Sequence, residues 1–280
     1  MSNTLIRSLS GALFVAIMAG SLLVSPVIFA TVMLFVILVM VKEFLSITLI
    51  RGTYKAQSTI VSIASFTIYL LLFLYSRHQV EAKYLWIAAL PLIILMVSLL
   101  YSKDARSSEK YNRAPFLFMA LIYISLPMSL TSLVLFDTQA GYTPGIMLSL
   151  LILLWSSDIG AYISGMTFGQ KNGHKLFPSI SPKKSWEGFF GGMASTLAAA
   201  AILKYTGVLD TSLTHALILS LVIFITGALG DLSESLLKRN FTVKDSGSIM
   251  PGHGGLLDRF DGALLAFPAA IAYIKLFELI

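Results

Sequence analysis

Between Ser235 and Asp261 the chain reads SLLKRNFTVKDSGSIMPGHGGLLDRFD. Four bases (Lys238, Arg239, Lys244, Arg259), three acids (Asp245, Asp258, Asp261), one histidine (His253) and four glycines fall within this stretch. The surrounding chain is mostly apolar, yet it holds more acids inside its apolar runs. Asp158 stands in LLWSSDIGAYISG, and Asp231 and Glu234 in ALGDLSESLLKR. The i to i+3 spacing puts Asp231 and Glu234 on one helical face, and Asp258 and Asp261 on another. An ionised side chain at the centre of a bilayer costs from about 2.5 kcal/mol upward, so such groups persist where they face a wet cavity, pair with a base or bind a metal. Pairing of each acid with a nearby Lys or Arg would only shape the bundle. The number of the acids, their common depth and their adjacency to a basic, glycine-rich loop favour a shared cation for Asp231, Asp258 and Asp261.

Grouped carboxylates without cysteine and with few histidines suit a hard cation. Mg²⁺ takes oxygen ligands, keeps some waters, and is usually held by one or two carboxylates plus substrate phosphates. The basic residues beside the acids suit those phosphates: Lys as a compact charge, Arg as a two-pronged donor. In GHGG the backbone amides at Gly254 and Gly255 can approach an anion closely. His253 reads equally well as a phosphate donor, a general acid or a loop histidine held by a carbonyl. A second basic segment runs Ser181-Pro182-Lys183-Lys184-Ser185-Trp186-Glu187-Gly188. Ser181 or Ser185 can cap the helix that follows, and anions favour helix N-termini. The plainer alternative is a membrane anchor with Trp186 at the interface. The cluster from Lys103 to Arg113 reads as such an anchor outright.

The elements that must carry these residues are transmembrane helices. Of 280 residues, 56% are hydrophobic and 12% charged, the mean hydropathy is +0.83, and apolar runs of roughly 18 residues or more recur, each enough to cross a hydrocarbon core of about 30 Å. There is no cysteine, which excludes disulfides and thiolate chemistry. The net charge of +6 is a matter of membrane topology, and no soluble module is long enough to bind nucleic acid. The pattern predicts an all-α polytopic bundle of nine spans, at 5–24, 27–50, 58–76, 84–101, 115–136, 144–166, 187–205, 213–237 and 259–279. The first run reads as a span, not a cleaved signal peptide, because another span follows at once. Pro91, Pro127 and Pro268 are candidate kinks. Lys and Arg placement sets the orientation: one side has only Arg77, Lys83, Lys204 and Lys275, and the other has the remaining 16 of the 20. The N-terminus is therefore expected in the cytoplasm, with loops 167–186 and 238–258 on that side. Residues 1–140 would form an N-terminal part of five spans and 141–280 a catalytic part of four.

Taken together, Ser235-x-Leu237-Lys238-Arg239, Lys244-Asp245-x-Gly247 and Pro251-x-His253-Gly254-Gly255-Leu256-x-Asp258-Arg259-Phe260-Asp261 resemble the signature of the phosphatidate cytidylyltransferases, or CDP-diacylglycerol synthases. Met250 departs from the Leu, Ile or Phe usual there, a swap among apolar side chains. The resemblance extends to Asp158-x-x-Ala161-Tyr162 and to the segment Ser181–Gly188; the first five spans match only as hydrophobic helices. It implies an integral membrane enzyme of the inner membrane that joins CTP and phosphatidate to give CDP-diacylglycerol and pyrophosphate. It also implies a need for Mg²⁺, a monovalent cation such as K⁺ beside it, and a homodimer. Carried over by position, the metal ligands are Asp231 and Asp258, with Asp261 close by. Lys244, Asp245 and His253 complete the candidate catalytic set. Candidate phosphate contacts are Lys183, Lys184, Lys238, Arg239 and Lys244, with Ser181, Ser185, Arg259, Gly254 and Gly255. Two rivals fit less well. Asp258-x-x-Asp261-Gly262 opens like a CDP-alcohol phosphotransferase motif, but the further spaced aspartates are missing. An ion-coupled transporter would place its acids near the midplane and show paired repeats.

Overall fold

The computed structural model describes residues 3–137, 141–169, 173–252 and 254–279. Among them nine helices occupy the nine expected segments: α1 (Asn3–Val24), α2 (Pro26–Thr48), α3 (Lys55–Ser76), α4 (Ala89–Leu100), α5 (Ser108–Val134), α6 (Pro144–Ser164), α7 (Trp186–Tyr205), α8 (Leu213–Asn240) and α9 (Ala263–Leu276). Six meet a membrane-crossing standard of length and hydropathy, namely α2, α3, α5, α8, α4 with the turn before it, and α6 with the turn after it. The apolar part of α1, Leu9–Val24, is shorter. The protein is thus an all-α polytopic membrane bundle. Its chain divides into two compact units, Met1–Phe136 with Phe241–Phe260, and Asp137–Asn240 with Asp261–Ile280.

In the first unit, Ser25 starts α2 by accepting a hydrogen bond from the Val27 N–H at 3.3 Å. Pro26 sits at the first helical position, where its missing N–H costs nothing. The buried side of α2 repeats at helical spacing through Phe29, Met33, Ile37, Met40 and Phe44. Proline placement explains two departures from a plain helix. Before Pro91 the chain runs as a 3₁₀ turn, Ala82–Ala88, and α4 begins only at Ala89, so the proline falls in a first turn. Pro127 would clash with the carbonyl four residues back, and α5 widens to a π-turn at Leu121–Ser125 just before it. There the Ser125 hydroxyl meets that of Ser65 on α3 at 2.7 Å. Phe241–Phe260 is held against these helices at both ends. Phe241 packs on Phe116 with ring centroids 5.3 Å apart and lies under the Arg113 guanidinium, while Phe260 packs on Phe14 at 5.5 Å.

In the second unit, α6 and α7 approach closely through small residues, as membrane helices do in the absence of a hydrophobic drive between them. A Cβ on Gly160 would strike Ser195, and one on Gly191 would strike Ser164. The expected loop 167–186 is more ordered than a loop: α6 ends in a π-turn, Gly165–Gly169, and strands β1 (Lys175–Phe177) and β2 (Ser181–Ser185) pair antiparallel, with Lys175 opposite Ser185 and Phe177 opposite Ser181. The ninth expected span is also shorter than its apolar run. A single helical turn, Leu257–Phe260, is followed by α9 from Ala263, and between them the Asp261 carboxylate accepts the Gly262 N–H at 2.6 Å.

Candidate functional site

The second unit gathers carboxylates. Asp231 comes from α8, Asp261 from the turn that starts α9, Asp158 from α6 and Glu234 from one turn further along α8; the other three are the charged neighbours of Asp261. The sequence supplies the means in the residue before Asp231. A Cβ on Gly230 would lie 2.5 Å from the Asp261 carbonyl oxygen and 3.1 Å from the Gly262 Cα, so only glycine lets the Asp261–Gly262 backbone lie on α8. Two lysines meet these acids. Lys184, on β2, places its Nζ 2.5 Å from Asp231 Oδ2, and Lys238 pairs at 2.5 Å with Glu234, whose side chain is wholly buried. The Ser235 hydroxyl donates to Asp231 Oδ1 at 3.3 Å. Pairing with a base, one of the two alternatives for these acids, is therefore the contact that Asp231 and Glu234 make. Ser185 is the residue that caps α7, accepting from the Gly188 N–H at 3.2 Å. Lys183 and Arg239 are exposed, and Ser181 is half-buried at the start of β2.

The first unit folds the glycine-rich segment around acids of its own. Asp258 Oδ2 accepts three hydrogen bonds at 2.8 Å, from the Ser246 N–H, the Ser246 hydroxyl and the Gly255 N–H. Gly254 has φ +86°, and a Cβ there would lie 2.6 Å from Asp258 Oδ2. The second acid is Glu43 of α2. It accepts from the Leu256 and Leu257 N–H groups at 3.1 and 2.8 Å. Lys244, Asp245 and Arg259 are exposed. His253 lies outside the described residues.

Of the expected metal ligands, then, Asp231 and Asp261 lie together in one unit with Asp158 and Glu234. Asp258 belongs to the other unit and is tied into its own loop. Among the described residues no group of three or more His, Asp or Glu side chains stands in a metal-holding arrangement. The donor set still fits Mg²⁺, which needs only one or two carboxylates when phosphate oxygens and water complete its octahedron. Sequence reasoning missed Glu43 and Ser246, and it quoted Ser235 in the signature without giving it a role. Glu43 left a signal: it follows Val36 and Met40 at helical spacing on the buried side of α2, while its neighbour Lys42 is exposed.

The protein is an α-helical integral membrane protein whose second unit brings carboxylates and lysines together. Comparison with known proteins narrows the class. A profile of the cytidylyltransferase family matches residues 5–277. The phosphatidate cytidylyltransferase of Staphylococcus epidermidis is 31% identical over 265 residues, covering 94% of this chain and 96% of the relative. That of Bacillus subtilis is 36% identical over 187 residues, 67% of this chain and 68% of the relative. That of Haemophilus influenzae is 45% identical over 127 residues, 44% and 43% of the two chains. The chain belongs to the cytidylyltransferase family and is a membrane nucleotidyltransferase.

Proposed function

We propose that the protein is a phosphatidate cytidylyltransferase that joins CTP and phosphatidate into CDP-diacylglycerol at the cytoplasmic face of the membrane. An oxygen of the phosphatidate phosphate attacks the α-phosphorus of CTP. A new P–O bond forms, the bond to the β-phosphate oxygen breaks, and pyrophosphate leaves with that electron pair. The nucleophile arrives with the lipid, so no serine or cysteine nucleophile is needed. The protein's task is to bring two anions together and neutralise the charge, which is positioning plus electrostatic stabilisation. The observation that carries the reading is the convergence of Asp231 and Asp261, with Lys184 on Asp231.

Asp231 and Asp261 would hold Mg²⁺, and Asp258, three residues earlier in the chain, stays a ligand on the resemblance. When bound, the ion supplies charge neutralisation and Lewis-acid polarisation at phosphate oxygens. Lys184 brings a cation to the carboxylate beside which a phosphate oxygen would sit. Lys183, Lys238, Arg239, Lys244 and Arg259 are assigned to the triphosphate and the lipid phosphate. The Ser185 hydroxyl and the Gly255 amide serve internal contacts, so in this reading charged side chains do most of the anion binding. Ser181, Gly254, Asp245 and His253 stay in the set on the resemblance alone, as do a monovalent cation and a homodimer. The cytoplasmic assignment rests on the Lys and Arg bias, and it puts the site on the side where nucleotides are.

The test is incorporation of radiolabelled CTP into lipid by purified protein in mixed micelles with phosphatidate. Label should enter the organic phase with stoichiometric pyrophosphate release, stop on chelation and return with added Mg²⁺. Asp231→Asn should lower turnover by about 10²-fold or more without unfolding the bundle. Turnover indifferent to chelation or to Asp231→Asn would overturn the assignment.

A further inference from the structure

Glu43 is an acid in the apolar helix α2, only 9% exposed. Among the described residues no Lys or Arg stands within ion-pair distance of it. A buried carboxylate without a base must have its charge met by hydrogen-bond donors, and here those donors come from a segment over 200 residues away. Leu256 N–H binds one oxygen and Leu257 N–H binds the other; the Ser246 hydroxyl, whose single proton goes to Asp258, lies 3.4 Å from that second oxygen. The segment is also shaped to admit the carboxylate. A Cβ on Gly247 would strike Glu43 Oε1, and one on Gly255 would lie 2.5 Å from Glu43 Oε2. Donors and glycines alike are arranged around this one side chain. Ser246 links it to Asp258: its hydroxyl lies 2.8 Å from Asp258 Oδ2, and it accepts the Asp258 N–H at 3.3 Å.

We propose that Glu43 is a positioning residue for the reaction: by gripping the amides of Leu256 and Leu257 it fixes the loop whose Ser246 and Gly255 orient the Asp258 carboxylate. The inference rests on the phosphatidate reading only for the step from loop order to turnover. Glu43→Gln places an amide N–H where one of the two backbone N–H groups needs an acceptor, so the clamp loses half its grip. Glu43→Asp keeps both acceptors on a shorter stem.

The experiment compares wild type, Glu43→Gln, Glu43→Asp and Ser246→Ala by hydrogen exchange over residues 246–258 and by steady-state kinetics at varied CTP and Mg²⁺. Glu43→Gln should speed exchange in that segment by about tenfold or more. It should lower kcat or raise the half-activating Mg²⁺ concentration by about 10- to 100-fold, the range for groups that orient metal ligands, while KM for CTP changes by less than about threefold. Glu43→Asp should recover part of both losses. Ser246→Ala removes one hydroxyl and should show the same pattern at smaller size, which keeps the test alive if Glu43→Gln does not fold. Unchanged exchange in Glu43→Gln, or in Ser246→Ala where that alone folds, overturns the clamp. Faster exchange with unchanged kcat and Mg²⁺ dependence overturns the positioning role. A wild-type protein that makes no CDP-diacylglycerol would fail the phosphatidate reading, and the exchange comparison would still decide the clamp.

Discussion

Replacing Gly230 with alanine asks whether the approach of the Asp261–Gly262 backbone to α8 sets the carboxylate cluster. The added Cβ would lie 2.5 Å from the Asp261 carbonyl oxygen and 3.0 Å from that of Gly262, where ordinary contact begins at 3.4 Å. Both obstacles are backbone, so the start of α9 must move off α8 by about 0.9 Å, since a closer contact lies on the steep repulsive side of the van der Waals well. Overpacking of this kind costs about 1–3 kcal/mol. Alanine returns up to about 1 kcal/mol through its higher helix propensity. The net loss of about 0–3 kcal/mol would lower the melting temperature by about ten degrees at most. Turnover is the more sensitive readout, because a shift of about 1 Å at a reacting centre can cost about 10²-fold. Gly227→Ala is the comparator on the same helix. Its Cβ would meet Leu154 Cδ1 at 3.1 Å and Ala266 Cβ at 3.8 Å, and the leucine tip can turn aside. CTP incorporation, with thermal unfolding run in parallel, should therefore show Gly230→Ala down by about two orders of magnitude and Gly227→Ala close to wild type. Full activity in Gly230→Ala, or equal losses in both variants, would refute the claim that this glycine sets the distance between Asp231 and Asp261.

Lys184→Ala removes the base that pairs with Asp231 and, in the proposed reaction, a cation for the triphosphate. KM for CTP should rise by about tenfold, equivalent to about 1.4 kcal/mol, and Lys184→Arg should recover part of it; an unaltered KM would sink the assignment. A second prediction concerns stability and pH. Asp104 accepts the Tyr54 N–H at 2.8 Å and pairs with Lys110 at 3.0 Å, and these contacts hold its carboxyl below the usual carboxylate range. A group whose pKa is depressed by folding stabilises the fold above its unfolded value, and that contribution is lost as pH falls through the folded value. Melting temperature should drop for this reason below about pH 4. Asp104→Asn should flatten that part of the pH profile and cost about 0.5 kcal/mol near neutrality, the scale of a part-exposed ion pair. A mutant profile parallel to wild type would remove Asp104 from the account.

The helical segments were legible because they are long apolar runs, six of them long and apolar enough to cross a membrane, and hydropathy needs no knowledge of what lies opposite. Local chemistry was legible too: Ser185 as a cap, and Asp231 with Glu234 on one face. What the sequence concealed depends on distant partners. Lys183 and Lys184 read as loop residues, yet they stand on a strand because Lys175–Phe177 pairs with their segment, and nothing in SPKKS is strongly β-forming. The run 115–136 shows Pro127 but not the π-turn with which α5 accommodates it. Glu43 drew no reading from the sequence, because the amides of Leu256 and Leu257 that meet it lie over 200 residues away.

The glycine-rich segment itself invites the reading that its amides cradle a phosphate, because glycine lets backbone N–H groups approach any anion. The anions that Ser246, Gly255, Leu256 and Leu257 approach are the chain's own carboxylates, on Asp258 and Glu43. A backbone N–H well aligned to one acceptor has little left for another, so these amides are poor candidates for holding a triphosphate. In the proposed reaction, neutralisation must then fall to mobile Lys and Arg side chains and to the cation held by Asp231 and Asp261. Substitutions of Ser246 or Gly255 should therefore disturb catalysis through the orientation of Asp258, with little direct effect on nucleotide affinity.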